Sequence, residues 1–211
     1  MTDPVFVFGG GGHAKVVIST LRAMGETVGG IYDDGKRVGD VVLGVDVQGP
    51  IAQAAHDDVQ RAVIAIGSNA VRKTLATSDA FAQLEWVSAV HPSAILDDSV
   101  VVGPGSVVFA NAVVQPDSRI GSHCILNTAA SVDHDGDVRD FSQISPGAHL
   151  AGTVTVDEGV FIGTGASIIP GVVVGAWSTV GAGACVVRDV PAHATQVGVP
   201  AHSREPSPTG A

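Results

Sequence analysis

The sequence predicts two successive parts: a small α/β domain with a parallel sheet, followed by an all-β parallel β-helix. Up to about residue 90, apolar runs alternate with helix-like stretches, which is typical of a parallel sheet with crossover helices. From residue 93 the helical pattern ends and a six-residue repeat begins. We therefore expect an α/β domain over 1–90, a β-helix over 93–190, and a C-terminal loop with a disordered tail over 191–211.

Short apolar runs and helix-like stretches define the elements of the first part. Buried strands are predicted over 5–8, 27–32, 62–66 and 85–90. Helices are predicted over 14–24, closed by Gly25, and from about 69 to 78. Because these strands alternate with helices, they should lie parallel in one sheet.

In the second part, every sixth residue is aliphatic. All sixteen positions reached from Leu96 to Val186 in steps of six are Leu, Ile or Val. The positions two residues earlier, from Ala94 to Ala184, are all small or Val. The repeat therefore predicts that each six-residue unit forms one short strand, with two inward residues, and one turn. Three such units make one coil of 18 residues. About five stacked coils would pair their backbones as a parallel β-helix.

Composition and charge exclude several classes of partner. The net charge of −10, from 21 acidic and 11 basic residues, argues against nucleic acids and anionic membranes. No apolar run approaches the roughly 18–20 residues needed to span a bilayer, and residues 1–3 lack the basic start of a signal peptide. Two cysteines give no disulfide framework, which fits a reducing compartment. We expect a cytoplasmic protein.

A glycine-rich loop joins the first predicted strand to the first helix. Gly9, Gly11 and Ala14 match the pattern G-x-G-x-x-A, in which glycines let the backbone approach a phosphate at a helix N-terminus. An acidic pair ends the second strand, where a ribose or base would lie. This order predicts a Rossmann-like nucleotide-binding domain, with the candidate residues Gly9, Gly11, Gly12, His13, Asp33 and Asp34.

The size of the first part restricts the nucleotide. A dinucleotide usually needs two mononucleotide-binding halves, and about 90 residues provide little more than one. A nucleotide that carries another group, such as a sugar, therefore fits better than NAD. A second strand-to-helix turn, with Gly67, Asn69 and Arg72, could complete the nucleotide pocket. The same turn fits a simple helix cap by Ser68 or Asn69 equally well.

One histidine of the second part has the surroundings of a general base. His134 lies two residues past an inward Val, so its side chain should project outward at a corner, between Asp133 and Asp135. A carboxylate beside an imidazole orients its tautomer and raises its basicity. The spacing alone fits an exposed histidine in an acidic turn equally well.

Metal binding and cysteine chemistry are not expected. His123, His134 and His149 occupy three different columns of the repeat, so they should not converge on one ion. Cys124 falls in the inward small column, and Cys185 has no histidine or acid beside it in the sequence.

Several motifs stand in an order that resembles one family. They are GGGGHAK at 9–15, AIGSN at 65–69, HPS at 91–93, NT at 127–128, VDHD at 132–135 and QVGVPA at 196–201. The chain resembles the bacterial nucleotide-amino-sugar N-acetyltransferases, which are related to the sialic acid O-acetyltransferases, and the resemblance covers about 4–202. The glycine loop followed by VDHD looks particularly like the GDP-perosamine N-acetyltransferases. The UDP-4-amino-sugar enzymes share most of the pattern.

The resemblance implies a left-handed β-helix, acetyl-CoA as co-substrate, and acetylation of the 4-amino group of a nucleotide-linked 4-amino-4,6-dideoxy sugar. It implies that His134 is the catalytic base and Asp135 its acidic partner. It places His13 close to the sugar, and Asp33, Gly67, Asn69 and Arg72 near the nucleotide. Some relatives carry a second histidine near acetyl-CoA, nine residues after the base; here that position is Gln143.

The resemblance also implies a trimer with active sites between neighbouring subunits. The outward columns of the repeat carry apolar side chains that a lone β-helix would expose, namely Phe109, Phe161, Ile169 and Val173. Acetyl-CoA should lie in the groove between two subunits, where the close-approach positions are Gly163, Gly165, Ala182 and Gly183. Two alternatives stay open: O-acetylation of a sialic-acid-like sugar, and a non-catalytic nucleotide-sugar-binding scaffold. The residues do not choose among GDP, UDP and dTDP.

Overall fold

A six-stranded sheet forms the N-terminal part of the computed structural model, which describes residues 3–204. Its strands are β1 (Val5–Phe8), β2 (Val28–Tyr32), β3 (Val41–Val42), β4 (Val45–Gly49), β5 (Arg61–Ile64) and β6 (Glu85–Trp86). The strand order is β3-β4-β2-β1-β5-β6, and all neighbours are parallel except β3 and β4. The strand order therefore reverses at β1, and the glycine loop begins at the end of this strand.

Two α-helices and two short 3₁₀ segments accompany this sheet. They are α1 (Gly12–Ala23), α2 (Asn69–Ala76), and the 3₁₀ segments Ile51–Ala55 and Asp79–Phe81. The buried side chains of α1, including Val17, Ile18 and Leu21, pack on the sheet. Within residues 3–204, no helix combines the length and the apolarity that a bilayer crossing requires.

The structure departs from the predicted elements at two places. The antiparallel pair β3–β4 was not predicted, because β3 has only two residues and Gly44 lies in the short connection to β4. The strand predicted over 85–90 is two strands: β6 ends the N-terminal sheet, whereas Ala89–Val90 (β7) pairs with the β-helix. Val90 lies six residues before Leu96, so the repeat begins one unit earlier than the sequence count.

The second part is a parallel β-helix of two-residue strands. They are β7 (Ala89–Val90), β8 (Ile95–Leu96), β9 (Val101–Val102), β10 (Val107–Val108), β11 (Val113–Val114), β12 (Arg119–Ile120), β13 (Ile125–Leu126), β14 (Ser131–Val132), β15 (Asp137–Val138), β16 (Gln143–Ile144), β17 (His149–Leu150), β18 (Thr155–Val156), β19 (Phe161–Ile162), β20 (Ser167–Ile168), β21 (Val173–Val174), β22 (Thr179–Val180) and β23 (Cys185–Val186). From β8 to β23, each strand ends on one of the sixteen predicted aliphatic residues. The six-residue repeat is therefore confirmed as the structural unit.

Three sheets form the faces of a prism. The first face contains β7, β10, β13, β16, β19 and β22; the second contains β8, β11, β14, β17, β20 and β23; the third contains β9, β12, β15, β18 and β21. Each strand pairs with the strand 18 residues later, as in Val107 with Ile125. The inward aliphatic and small columns fill the interior, where Leu126, Val132 and Ile144 are fully buried.

Serine hydroxyls connect successive coils inside the prism. Ser106, Ser118 and Ser142 each donate to a carbonyl 15 residues later, at 2.7–2.8 Å. Each also accepts the backbone N–H of the residue 18 positions later. These hydroxyls are buried without cost because their hydrogen bonds are made.

A left-handed backbone conformation recurs at the corners. The non-glycine residues in this conformation at the corners between strands include Asn111, Asp117, His123, Ala129, Asp135, Phe141, Thr153 and Trp177, with φ between 53° and 61°. They are six residues apart or multiples of six, so every corner uses the same turn. Asn and Asp adopt this conformation readily, whereas Phe141 and Trp177 must be held in it by their contacts.

The C-terminal region is more regular than predicted. Instead of a loop from residue 191, strand β24 (Thr195–Val197) extends the first face, and β25 (His202–Ser203) pairs with it antiparallel. This hairpin covers the last coil, whose backbone groups would otherwise be unpaired. The predicted disordered tail lies, from residue 205, outside the described residues.

The N-terminal part packs on the first face of the prism. Ala14 and Ile18 of α1 belong to the same buried cluster as Val107, Phe109 and Ile125. Phe109 was predicted to be an outward side chain that a partner subunit covers. In the structure it is 1% exposed because the N-terminal part of the same chain covers it.

Candidate active site

His134 lies at the corner between the second and third faces, two residues after β14. Its side chain is 59% exposed, and its Nδ1 donates to the Oδ2 of Asp135 at 2.7 Å. The Oδ1 of Asp133 accepts the backbone N–H of His134 at 2.8 Å, which holds the corner in place. The hydrogen bond that His134 donates to Asp135 is the main reason that the pKa of His134 is raised above its ordinary value. The corner therefore presents an oriented, more basic imidazole to solvent.

The imidazole ring of His134 lies over Gly152 in the next coil. A Cβ placed on Gly152 would be 2.6 Å from the Nε2 and Cε1 atoms of His134, so a larger residue there would force the ring to move. Among the described residues, the backbone N–H of Gly152 donates to no protein acceptor. Gly152 is not among the predicted site residues, although its position 18 residues after His134 places it in the next coil at the same corner.

A groove of about 480 Å³ on the second face extends to this corner. Asp133, the residue before His134, is part of its lining. The remaining lining includes Gln115, His149, Ile169 and Pro170, so the groove is partly apolar and partly polar. Such a groove can hold an extended ligand whose reactive end reaches the base.

The glycine loop follows β1 on the other part of the chain. The Oδ2 of Asp33 accepts the backbone N–H of Gly10 at 2.6 Å, which fixes the loop. Gly9 has φ of 105°, and a Cβ there would lie 2.7 Å from Ile66. Gly11 and Gly12 instead have nothing within 4 Å of an added Cβ, and both are exposed. The open side of the loop is therefore at Gly11 and Gly12.

His13 is the second residue of α1 and packs against Phe109, with the ring centroids 5.3 Å apart. Burial, and then the nearby charge of Arg72, lower the pKa of His13 to about 4. The ring is therefore neutral at pH 7. Its Nε2 is buried and has no partner among the described residues. Buried polar atoms normally have a hydrogen-bond partner, so this ring nitrogen beside the glycine loop is an exception.

The acidic pair and the second turn are partly used by the fold itself. The Oδ1 of Asp34 accepts the backbone N–H of Ile51 at 2.8 Å. The hydroxyl of Ser68 accepts the N–H of Val71 and so caps α2, as one of the two interpretations of this turn expects. Gly67 is exposed and has open space around it.

Asn69 and Arg72, expected near the nucleotide, point to the β-helix instead. The Nδ2 of Asn69 donates to the carbonyls of Gly159 and Val160, at 3.0 and 3.1 Å. Arg72 is 1% exposed, and backbone carbonyls surround its guanidinium. The expectation that Arg72 binds the nucleotide is therefore corrected, because its guanidinium is sealed from solvent.

The expected acetyl-CoA positions lie on the first face or at its corner with the second face. Gln143 is in β16, and its Oε1 is buried without a partner among the described residues. Gly163 is buried, and a Cβ there would lie 2.5 Å from the backbone N of Ala182, so coil stacking accounts for this glycine. An opening for a ligand at Gly163 itself is not found. Gly165, Ala182 and Gly183 are exposed at the corner.

The structure does not bring all of these residues together in one chain. The glycine loop and α1 cover the first face, whereas His134 lies at the corner of the other two faces. That corner is opposite the first face of a three-sided prism. The base and the glycine loop of one chain are therefore on opposite sides of the molecule.

Comparison with known proteins adds family relationships to this geometry. Residues 4–78 match the family described as the PglD N-terminal domain. The whole fold is similar to a histidine-to-asparagine variant of perosamine N-acetyltransferase from Caulobacter crescentus in complex with CoA and GDP-perosamine. The two chains are 42% identical, with a TM-score of 0.91, over 98% of this chain and 99% of that chain.

Two further relatives agree. The acetyltransferase domain of PglB from Neisseria gonorrhoeae FA1090, in complex with acetyl coenzyme A, is 37% identical with a TM-score of 0.89, over 97% of this chain and 100% of that chain. GDP-perosamine N-acetyltransferase from Escherichia coli O157:H7 is 27% identical over 151 residues, which are 69% of this chain and 68% of that protein.

Proposed function

The chain belongs to the bacterial nucleotide-amino-sugar N-acetyltransferases, and from this premise we propose that it transfers the acetyl group of acetyl-CoA to the 4-amino group of a nucleotide-linked 4-amino-4,6-dideoxy sugar. The observation that carries the proposal is the His134–Asp135 pair beside an open groove. It lies in a chain that is similar over 98% of its length to an enzyme bound to CoA and GDP-perosamine.

The finer description of the fold belongs to this proposal. The sheet order, with its reversal at β1, supports a Rossmann-like nucleotide-binding domain over 1–90. The family relationship supports a left-handed β-helix over 93–190, which the structure extends back to Ala89. The described part of 191–211 closes this β-helix with the β24–β25 hairpin.

The nucleotide is proposed to bind at the glycine loop. Gly11 and Gly12 leave space for a phosphate at the N-terminus of α1, where backbone N–H groups point outward. Gly9 and Asp33 shape the loop. The family relationship supports a place close to the sugar for the neutral ring of His13, which follows these glycines, and Gly67 lines the second turn.

His134 is proposed to act as the general base in a direct transfer. The neutral 4-amino group attacks the thioester carbonyl, and the Nε2 of His134 takes the proton of the nitrogen as the C–N bond forms. Asp135 holds Nδ1 and stabilises the resulting imidazolium. The C–S bond then breaks, and the CoA sulfur leaves with the proton that the imidazolium returns.

The backbone N–H of Gly152 is proposed to stabilise the oxyanion that develops on the acetyl carbonyl. Gly152 lies under the ring of His134, and its N–H donates to no protein group among the described residues. A fixed backbone donor near the base can stabilise a charge that forms only in the transition state.

A complete site is proposed to need a second copy of the chain in a homotrimer. The base and the glycine loop of one chain face opposite directions, so a partner must supply one of them. Phe161, Ile169 and Val173 remain 36–41% exposed on the prism, which provides apolar surface for such contacts. Acetyl-CoA would then lie between two prisms, near Gln143, Gly165 and Gly183.

A panel of GDP-, UDP- and dTDP-linked 4-amino sugars tests the proposed function. Release of free CoA thiol with one of them, and an N-acetyl product by mass spectrometry, is the expected result. The His134→Ala variant should lose about 10²–10⁴-fold in kcat and still bind both substrates. Acetylation only of hydroxyl groups would favour O-acetyltransferase activity, and binding without thiol release would favour a scaffold.

A further inference from the structure

Arg72 carries a buried charge without a carboxylate partner among the described residues. Its guanidinium instead donates to five backbone carbonyls: His123 at 3.0 Å, Ile66 and Gly67 at 3.1 Å each, Phe141 at 2.8 Å and Ser142 at 3.5 Å. Burial lowers the pKa of Arg72 to about 10, which leaves it charged at pH 7. A buried charge costs free energy unless its hydrogen bonds are made, so this residue needs all of its acceptors.

The five carbonyls come from both parts of the chain. Ile66 and Gly67 form the turn after β5, and Ile66 packs directly under Gly9 of the glycine loop. The other carbonyls belong to two successive coils at the corner between the third and first faces. One of these residues, Ser142, immediately precedes Gln143. Arg72 therefore joins the wall of the glycine loop to the coil that carries Gln143.

The neighbours of Arg72 on α2 hold the same corner. Asn69 bonds to the carbonyls of Gly159 and Val160 in the next coil. The Nζ of Lys73 pairs with the Oε1 of Glu158 at 2.5 Å and lies over the ring of Trp177, 5.4 Å from its centroid. The hydrogen bonds and the ion pair of α2 thus reach three successive coils, and Lys73 also contacts Trp177 in a fourth.

We propose that Arg72 is a positioning residue, which sets the orientation of the glycine-loop domain on the β-helix and thereby the alignment of the acceptor amine with the acetyl group. This inference rests on the proposed function. Reacting atoms must lie about 3–3.5 Å apart, and a misplacement of about 1 Å can cost about 10²-fold in rate. A rigid junction between the domain that binds the acceptor and the coils near acetyl-CoA is one way to meet that requirement.

Arginine suits this role better than lysine. The guanidinium has five N–H donors in a rigid plane, whereas the lysine ammonium has three donors at one point. Arg72→Lys keeps the positive charge but cannot reach both the turn at 66–67 and the carbonyls of two coils. The substitution therefore loosens the junction and leaves the glycine loop and His134 unchanged in sequence.

The test compares Arg72→Lys with Arg61→Gln in the full-length chain. Arg61 is the control, because it is an arginine of the same domain that is less buried than Arg72 and stabilises the N-terminal sheet. Its partners among the described residues are Glu26, Glu85 and the carbonyl of Asp3, none of which belongs to the β-helix. Both variants are assayed at a temperature at which circular dichroism shows them folded. The measurements are kcat, and the dissociation constant of each substrate separately by calorimetry.

Arg72→Lys should lower kcat by about 10- to 100-fold and change each dissociation constant by less than about threefold. Arg61→Gln should lower the melting temperature and leave kcat near the wild-type value. A wild-type kcat in folded Arg72→Lys would overturn the proposal. So would a loss confined to acceptor affinity, because that pattern indicates a ligand contact, and so would an equal loss of kcat in Arg61→Gln.

Two additions keep the test decisive. If Arg72→Lys does not fold, Lys73→Gln weakens the same junction at a half-exposed position and should reduce kcat a few-fold. An unchanged kcat in Lys73→Gln would contradict the proposal.

Hydrogen exchange without substrates should be faster at 65–68 and 140–143 in the Arg72 variant, and not in Arg61→Gln. Exchange tests the junction even if no nucleotide-linked amino sugar is acetylated, an outcome that would contradict only the proposed function.

Discussion

The basicity of His134 depends on the one residue that follows it in the chain. Asp135 adopts the left-handed backbone conformation of the corner, with φ of 57°, and this places its carboxylate 2.7 Å from Nδ1. The sequence could predict this pair, because neighbours in the chain are also neighbours at a tight corner. It could not predict that the ring lies over Gly152, since that contact requires the coils to stack in register.

Asp135→Asn should change the pH dependence of the enzyme as well as its rate. Because Asp135 raises the pKa of His134, its removal should lower that pKa. The base works only when it is neutral, so activity falls as the pH drops through this pKa. The acid limb of kcat/KM should therefore move to lower pH in the variant, and the plateau should drop by less than in His134→Ala. An acid limb that does not move would mean that another group controls it.

The glycine loop contains two kinds of glycine, and substitutions should separate them. Gly11→Val meets nothing within 4 Å and has an ordinary backbone conformation, so the fold should tolerate it. The new side chain should nevertheless occupy the space of a phosphate and weaken nucleotide-sugar binding, with acetyl-CoA affinity nearly unchanged. Gly9→Val is the contrasting control, because a Cβ there meets Ile66 at 2.7 Å and φ is 105°. It should reduce stability and affect both ligands. Calorimetry with equal losses for Gly11→Val would contradict the assignment of the phosphate site.

At the scale of elements, the repeat was predictable and the connections between elements were not. Each coil is specified by residues two and six positions apart, so the sequence predicts every strand from β8 to β23. The role of Arg72 was not predictable, because its acceptors lie 51 and 69 residues away. A basic residue after a glycine turn has the same sequence pattern whether it binds a phosphate or a row of carbonyls.

His123 lies at the corner of the β-helix that faces α2, and its burial against aromatic rings should make the stability of the protein sensitive to acid. His123 is 5% exposed and stacks on Phe141 at 5.6 Å, and burial lowers its pKa to about 4. The unfolded chain binds a proton near pH 6.5, whereas the folded chain does not. Stability contributed by this group is therefore complete above pH 6.5 and lost as the pH falls towards 4. Between pH 7 and pH 5 the loss should be about 2 kcal/mol.

His123→Asn isolates this contribution, because asparagine tolerates the left-handed backbone conformation and does not titrate. The variant should be less stable than the wild type at pH 7, since it leaves a cavity beside Phe141. Its unfolding free energy, measured by urea denaturation, should fall less between pH 7 and pH 5. Parallel curves for the two proteins would show that His123 does not cause the acid sensitivity.

At the scale of the whole molecule, a single chain covers the apolar surface of its first face but does not form a complete active site. The apolar side chains of α1 and the first face cover one another within the chain, which is why Phe109 is buried without a partner subunit. Phe161, Ile169 and Val173 keep partial exposure on three different faces. A sequence repeat predicts that such positions face outward, but it does not say which of them another part of the same chain will cover.

Mixed trimers test whether each site is shared between subunits. His134→Ala chains lack the base, and Gly11→Val chains lack the phosphate space, so each variant alone should be nearly inactive. If one chain supplies the base and its neighbour supplies the glycine loop, a randomly mixed trimer regains sites in which both intact residues meet. For equal amounts of the two chains, about a quarter of the sites should be functional.

Co-expression of the two variants with different affinity tags allows the mixed species to be purified, and light scattering should give the mass of a trimer. Each purified mixed trimer contains one functional site of its three, so the activity per chain should be about a third of the wild-type value. If the base and the loop belonged to the same chain, mixing could not restore any site, because every chain carries one defect. Purified mixed trimers without activity would therefore refute a shared site, and a monomeric mass would refute the trimer itself. His134 lies on the side of the prism opposite the face that α1 covers, so its ring cannot reach the glycine loop of its own chain. This position favours restored activity in the mixed trimers.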